Sequence, residues 1–198
     1  MHEIVIATRN KDKFKEMAMI LSNVGAKFIF AGDIPSLPEI VEDGDTLYEN
    51  ALKKAKETAR FTGKPCFADD TGFFVRALNG EPGIHAAIYA GKDCSYEENV
   101  EKLLSNMIGQ TDNYAYFQTV TVLYNPVNDT HISGEGTLEG HLITERRGTN
   151  GFGYDPIFVP LDSTKTLAEM NDIEKCCLSH RFKSLDDLNN NIKKMLGK

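Results

Sequence analysis

The segment CFADDTGFFV, Cys66 to Val75, has the apolar composition of a buried strand, interrupted by two adjacent carboxylates. A charge in such a place is costly unless it is paired, hydrogen-bonded or bound to a cation. Either Asp69 and Asp70 lie in an acidic turn that faces water, or they have a task. On an extended backbone neighbouring side chains point to opposite faces. The two carboxylates are therefore not expected to share one job. One would face a cleft, and the other would satisfy backbone donors in a turn. A carboxylate here suits Mg2+, which takes oxygen ligands and keeps several waters.

Working outward, the segment is flanked by alternating strand and helix signals. EIVIAT, from Glu3, is a short strand, and AKFIF, from Ala26, is a second. Between them Phe14, Met17, Ala18 and Leu21 recur at helical spacing, with Gly25 as the stop. Residues 31–45 carry prolines, glycines and acids and are expected to form an exposed loop. Thr46 with Glu49 opens a helix that closes near Gly63, and Ser95 with Glu98 opens another. YAYFQTVTVLY and THISGEGTLEGHLI form a long antiparallel pair around Asn125-Pro126. RRGTNGFGYDPIF is a glycine-rich loop that enters a short strand, and Thr166 with Glu169 starts a short helix. Phe182, Leu185, Leu188, Ile192 and Met195 mark a terminal amphipathic helix. Mixed strand and helix order with a long antiparallel pair predicts an α/β fold on a mixed sheet. No repeat or linker divides the 198 residues.

Composition narrows the function. A net charge of −7 argues against a nucleic-acid surface. No apolar run is long enough to span a membrane, and the start has no signal-peptide pattern. Cys66, Cys94, Cys176 and Cys177 have no ladder of spacings, which suggests reduced thiols in a cytoplasmic protein. Cys176, Cys177 and His180 lack a second ligand pair with zinc spacing. G-x-G-x-x-G and G-x-x-x-x-G-K-[ST] are both absent.

Three further constellations carry chemistry. ATRNKDK places Thr8 and Asn10 as caps and Lys13 in the first turn of a helix, whose N-terminus attracts anions. The alternative is ordinary capping with a solvated lysine. In GTNGFGYDPIF, glycines beside Phe152 and Tyr154 permit close approach, an aromatic can stack on a base, and Asp155 before Pro156 is expected to be extended. In EKCCLSHRFKSL, Ser179 can cap, with Lys175 upstream and His180 and Arg181 in the first turn. Arg181 offers a planar fork for a purine edge or phosphate. Core aromatics and surface basics remain the plain alternatives for both.

Taken in order, TRNKDK, ENALKKA, FADDTG, LNGEPG, GFGYDPIF and SHR resemble the inosine triphosphate pyrophosphatase family. These enzymes hydrolyse non-canonical purine nucleoside triphosphates, and the likeness spans nearly the whole chain. It implies one two-lobed domain over residues 1–198, with an elongated mixed sheet, flanking helices and an active site in the cleft. It also implies a homodimer, a Mg2+ requirement, and conversion of ITP, dITP or XTP to the monophosphate and pyrophosphate. By motif, Thr8, Arg9, Asn10, Lys11, Asp12 and Lys13 hold phosphates, with Lys54 nearby. Asp70 takes the catalytic carboxylate position, and Glu42 helps it with the metal. Thr71, Phe152, Gly153, Tyr154, Asp155, Lys175, His180 and Arg181 contact the nucleotide.

The chain departs from the family pattern at Arg9, usually glycine, at Thr71, usually serine, and at Cys176, often asparagine. AAIY, Ala86 to Tyr89, lacks a customary arginine. The expected chemistry is attack of water on the α-phosphorus, oriented by Asp70 as base, metal ligand or both. A donor such as Arg181 or a backbone N–H would favour a 6-oxo purine over adenine. A pyrophosphatase for other modified nucleotides and a catalytically weak nucleotide-binding protein are the competing expectations.

Overall fold

A computed structural model describes residues 2–195. The strands are β1 (His2–Ile6), β2 (Ala26–Phe30), β3 (Cys66–Val75), β4 (Pro82–Gly83), β5 (Tyr114–Asn125), β6 (Thr130–Leu142) and β7 (Phe158–Pro160). The helices are α1 (Lys11–Ile20), α2 (Leu47–Thr62), α3 (Tyr96–Asn106), α4 (Asp172–Leu178) and α5 (His180–Met195). The sheet runs β2-β1-β3-β5-β6-β7, with β4 also on β3. β1 pairs in parallel with β2, opposing Val5 to Ile29, and with β3, opposing Val5 to Cys66. A helical crossover such as α1 is what a parallel pair requires. β4 on β3 and β7 on β6 are antiparallel. The expected mixed α/β fold is the one observed. Among the described residues no helix is long and apolar enough to cross a membrane.

The chain groups into two compact units. The first comprises residues up to Asp70, Thr119–Gly136 and the chain from His180 onward. Its core joins Ile4 and Ile6 of β1, Met17 and Leu21, Phe67 of β3, Leu123 of β5, and Leu185, Leu188 and Ile192 of α5. The apolar stripe predicted for the terminal helix is thus its buried face. The second unit comprises Thr71–Gln118 and Thr137–Ser179. Its core is built on Phe73, Phe117, Tyr154 and Phe158, whose rings contact one another, together with Leu103 and Leu167.

Local signals explain the boundaries. The capping boxes at Thr46–Glu49, Ser95–Glu98 and Thr166–Glu169 all form. α1 tightens into a 3-10 turn over Leu21–Val24 and stops at Gly25, whose φ of 70° is left-handed. α4 is a helix that the sequence reading missed. Its local signal is another capping box, Asn171 with Glu174, in which asparagine stands in place of serine or threonine.

Two expectations are corrected. No turn exists at the two aspartates: β3 runs unbroken through both, and they are buried, 1% and 7% exposed. Asp155 is not extended but begins a 3-10 turn, Asp155–Ile157. The Ile157 N–H bond to the Tyr154 carbonyl at 3.1 Å and the ties of the Asp155 carboxylate override the proline effect.

Candidate active site

Burial would by itself force Asp69 to protonate, yet the side chain is surrounded by cations. Arg181 donates to Asp69 Oδ2 from Nε at 3.1 Å and from Nη2 at 2.9 Å. Lys13 Nζ is 3.3 Å from the same oxygen. Burial raises the Asp69 carboxyl, but Lys13, Arg181 and Lys54 outweigh it and hold it well below the usual carboxylate range. The far side of Arg181 meets Glu16 Oε2 at 2.5 Å. Lys13 and Glu16 are three residues apart and share one face of α1. Among the described residues Glu16 Oε1 is a buried oxygen with no hydrogen-bond partner.

Asp70 has a different environment. Asn50 of α2 donates its Nδ2 to Asp70 Oδ2 at 3.2 Å. Burial is the largest influence and raises the Asp70 carboxyl. Lys54 and Lys13 pull it down, Glu42 pushes it up, and the Asn50 bond lowers it, for a net rise. Lys54 Nζ is 2.9 Å from Glu42 Oε1. Burial disfavours the Lys54 ammonium, but Glu42, Asp70 and Asp69 more than compensate, so its proton is held more tightly than usual.

The start of α1 is capped as expected. The Thr8 hydroxyl accepts from Asn10 N at 3.1 Å, and Asn10 Oδ1 accepts from Asp12 N at 2.9 Å and Lys13 N at 3.2 Å. Those two amides are therefore engaged by the cap, and the Lys13 ammonium is the stronger anion attractor here. Lys11 and Asp12 are exposed. Arg9 is exposed too and reaches the Leu37 carbonyl at 3.0 Å, which ties the 31–45 loop to the α1 entry.

His180 opens α5 and is buried, its Nδ1 2.6 Å from the Thr119 hydroxyl. α5 comes this close because β6 offers glycines. A Cβ at Gly136 would lie 2.1 Å from the His180 carbonyl oxygen, and one at Gly134 would lie 2.3 Å from that of Ser184.

In the second unit, Asp155 Oδ2 accepts from the Phe152 amide at 2.8 Å and from Lys175 Nζ at 2.6 Å. Lys175 also lies over the Phe152 ring, 4.6 Å from its centroid, and Tyr96 of α3 flanks that ring at 6.0 Å. Gly151, with φ 73°, is required: a Cβ there would strike Asp155 Oδ2 at 2.0 Å. Gly153 is partly exposed, as is Thr71, which follows Asp70 on β3. Tyr154 is a core residue. Its ring stacks on Phe73 at 4.7 Å and its hydroxyl donates to the Ala86 carbonyl at 2.9 Å.

Thus Lys13, Glu42, Lys54, Asp70 and Arg181 gather in the first unit, with the Thr8–Asp12 loop and His180. Phe152, Asp155 and Lys175 meet in the second, to which Thr71, Gly153 and Tyr154 also belong. The sequence reading missed Asn50, Glu16 and the cation-binding role of Asp69. Asn50 had left a trace: it falls on the apolar stripe of α2 with Leu47, Ala51, Ala55 and Thr58, all buried. A polar residue on a core-facing stripe needs a partner.

Among the described residues no three His, Cys, Asp or Glu side chains cluster as a metal site. Mg2+ does not need such a cluster, since one or two carboxylates plus substrate phosphates and waters satisfy it. Asp70, a buried carboxylate under the influence of Glu42, fits that requirement.

These features define a mixed-sheet α/β protein with a buried acidic strand held by cations, and solved structures share its fold. A HAM1 protein from Coxiella burnetii matches with a TM-score of 0.87 at 38% identity, over 98% of this chain and 100% of that one. The Ham1 protein of Staphylococcus aureus matches at 0.82 and 37%, over 98% of each chain. A dITP/XTP pyrophosphatase of Syntrophobacter fumaroxidans is 46% identical over 93% of this chain and 79% of its own length. One from Elusimicrobium minutum is 44% identical over 96% of this chain and 100% of its own. The Ham1 family model matches residues 4–191. The chain belongs to the Ham1 family, which bears out the resemblance drawn from its motifs.

Proposed function

We propose that this chain is a nucleoside triphosphate pyrophosphatase that hydrolyses dITP, ITP and XTP to the monophosphate and pyrophosphate. The observation that carries the mechanism is Asp70, a buried carboxylate under the combined influence of Lys54, Lys13 and Glu42. An acidic chain must neutralise a triphosphate locally. Two unit charges ~4 Å apart interact by about 4 kcal/mol at an effective dielectric near 20. Lys13, with the Thr8–Asp12 loop, and Lys54 are assigned to the phosphates. Asp69 and Arg181 fix where Lys13 stands.

Asp70 orients the water that attacks the α-phosphorus and takes its proton, helped by its raised affinity for protons. Asp70 and Glu42 would hold Mg2+. The ion would supply charge neutralisation of the phosphates and acidify bound water. Coordination lowers a carboxylate's basicity, so Asp70 serves one role at the expense of the other.

Phe152 is assigned to stack on the base, with Lys175 and Asp155 holding its loop in shape. Arg181 is engaged with Asp69 and Glu16, so reading a 6-oxo group with it requires an exchange of partners. A backbone N–H avoids that cost and is the preferred donor to hypoxanthine or xanthine. Adenine presents an amino group at that position and would leave a donor unpaired. A homodimer in the cytoplasm completes the reading, supported by the family resemblance and by the spacing of the cysteines.

The test is a Mg2+-dependent hydrolysis panel over ITP, dITP, XTP, ATP and GTP, following pyrophosphate release. Strong preference for the first three is expected. Equal rates on all five overturn the specificity, and tight ITP binding without product overturns the activity.

A further inference from the structure

Five consecutive residues of the loop before α2 are held by one face of that helix. Lys54 takes Glu42 at 2.9 Å, and Lys53 takes Asp43 at 2.5 Å. Asn50 Oδ1 accepts from Gly44 N at 2.8 Å, and Glu49 Oε2 accepts from Asp45 N at 2.9 Å and Thr46 N at 3.1 Å. The loop therefore runs back along α2 residue against residue. Residues 49, 50, 53 and 54 stand one turn apart in pairs, so they form a continuous strip on the helix.

Asn50 is the member of that strip that also reaches Asp70. Its amide orientation is fixed by chemistry. The Gly44 N–H can only donate, so Oδ1 faces the loop and Nδ2 must face the carboxylate. Asn50 is 4% exposed. Gly44 lets the loop lie this close: a Cβ there would be 2.7 Å from Glu49 Cβ and 2.9 Å from Asn50 Oδ1.

We propose that Asn50 is a positioning residue that holds Asp70 and the Glu42 loop in a single register, and that this register sets the affinity for the divalent cation. The inference rests on the assignment of Asp70 and Glu42 to the metal. Residues that orient metal ligands without touching the ion are worth a large share of its affinity.

The experiment uses Mn2+ as the probe, titrated into the full chain and followed by water-proton relaxation, beside a thermal melt. Asn50→Ala is expected to weaken Mn2+ binding by about tenfold or more, and to raise the Mg2+ needed for half-maximal hydrolysis in proportion. Binding of ITP in chelator should change far less than Mn2+ binding, because Asn50 itself is not assigned to the nucleotide. Gly44→Ala retains both the Asp70 and the Asn50 side chains but crowds Asn50 Oδ1 and lifts the loop from it, and should show the same pattern. If Asn50→Ala does not fold, Gly44→Ala decides. A folded variant with wild-type Mn2+ affinity overturns the proposal, as does a wild-type chain that binds no Mn2+. If wild type cleaves no nucleotide yet Asn50→Ala weakens Mn2+ binding, the proposed function fails while the positioning role stands.

Discussion

Asp69 in the first unit and Asp155 in the second are both buried carboxylates paired with cations, yet they organise different things. Asp69 collects side chains from distant parts of the chain, Lys13 and Arg181. Asp155 binds the amide of Phe152, three residues away, and one lysine, and so shapes its own loop. The first region depends on charge balance, the second on backbone geometry. Next to Asp69, Asp70 carries the opposite bias: its carboxyl is raised where its neighbour's is depressed.

The sharpest way to break the comparison is Asp70→Asn. Loss of the reactive carboxylate should cut pyrophosphate release by on the order of a thousandfold. Because a carboxyl with a raised folded-state pKa stabilises only while protonated, its contribution fades as pH climbs from 3.8 through the raised value. Without metal or nucleotide, the neutral amide should therefore melt no lower than wild type at neutral pH. A lower melting temperature would place Asp70 among the structural charges instead.

Asp69→Asn should do the reverse. Removing the Asp69 charge from Lys13 and Arg181, the latter keeping Glu16, should cost about 3–5 kcal/mol in urea unfolding. The pKa of Asp69 is depressed, so its stabilisation is complete above the ordinary value of 3.8 and is lost as pH falls toward the folded value. The variant should accordingly show a flatter acid limb of stability than wild type. An unchanged limb would remove Asp69 from the account of acid unfolding.

Gly151→Ala tests the second region. The left-handed backbone and the clash with Asp155 should cost about 1–3 kcal/mol, and KM for ITP should rise more than kcat falls. Equal losses in both would shift the loop from substrate binding to chemistry. The smallest effect is expected at the exposed Arg76–Asp112 pair. Although Arg76 and the Tyr114 amide lower Asp112 to about 2, Asp112→Asn should leave the thermal midpoint where it is, because solvent screens such pairs.

Much of this was legible in the sequence. The capping boxes, the glycine stops and the stripe of the terminal helix each follow from local periodicity, and the structure places them as read. The motif segments hold Lys13, Lys54, Asp70 and Arg181 of the first unit and Phe152 and Asp155 of the second, while Glu42 and Lys175 lie outside them. What escaped was long-range. Nothing local to Asp69 announces that Arg181, 112 residues away, will meet it. No turn forms at Asp69–Asp70 for that reason: the cost of burying a charge in a strand is offset by Lys13 and Arg181, partners that only tertiary packing brings. Asn50 escaped because its two partners, Gly44 and Asp70, lie on opposite sides of it in sequence.

The two glycines of β6 under α5 carry a consequence for sequence drift. With the His180 carbonyl oxygen occupying the space a Cβ would need at Gly136, and that of Ser184 doing so at Gly134, neither position tolerates even a methyl group without displacing the helix. His180 and Arg181 are thus seated by two residues that carry no side chain at all. A mutational scan scored only by chemistry would pass over both, although each should be as intolerant of change as the charged groups it supports.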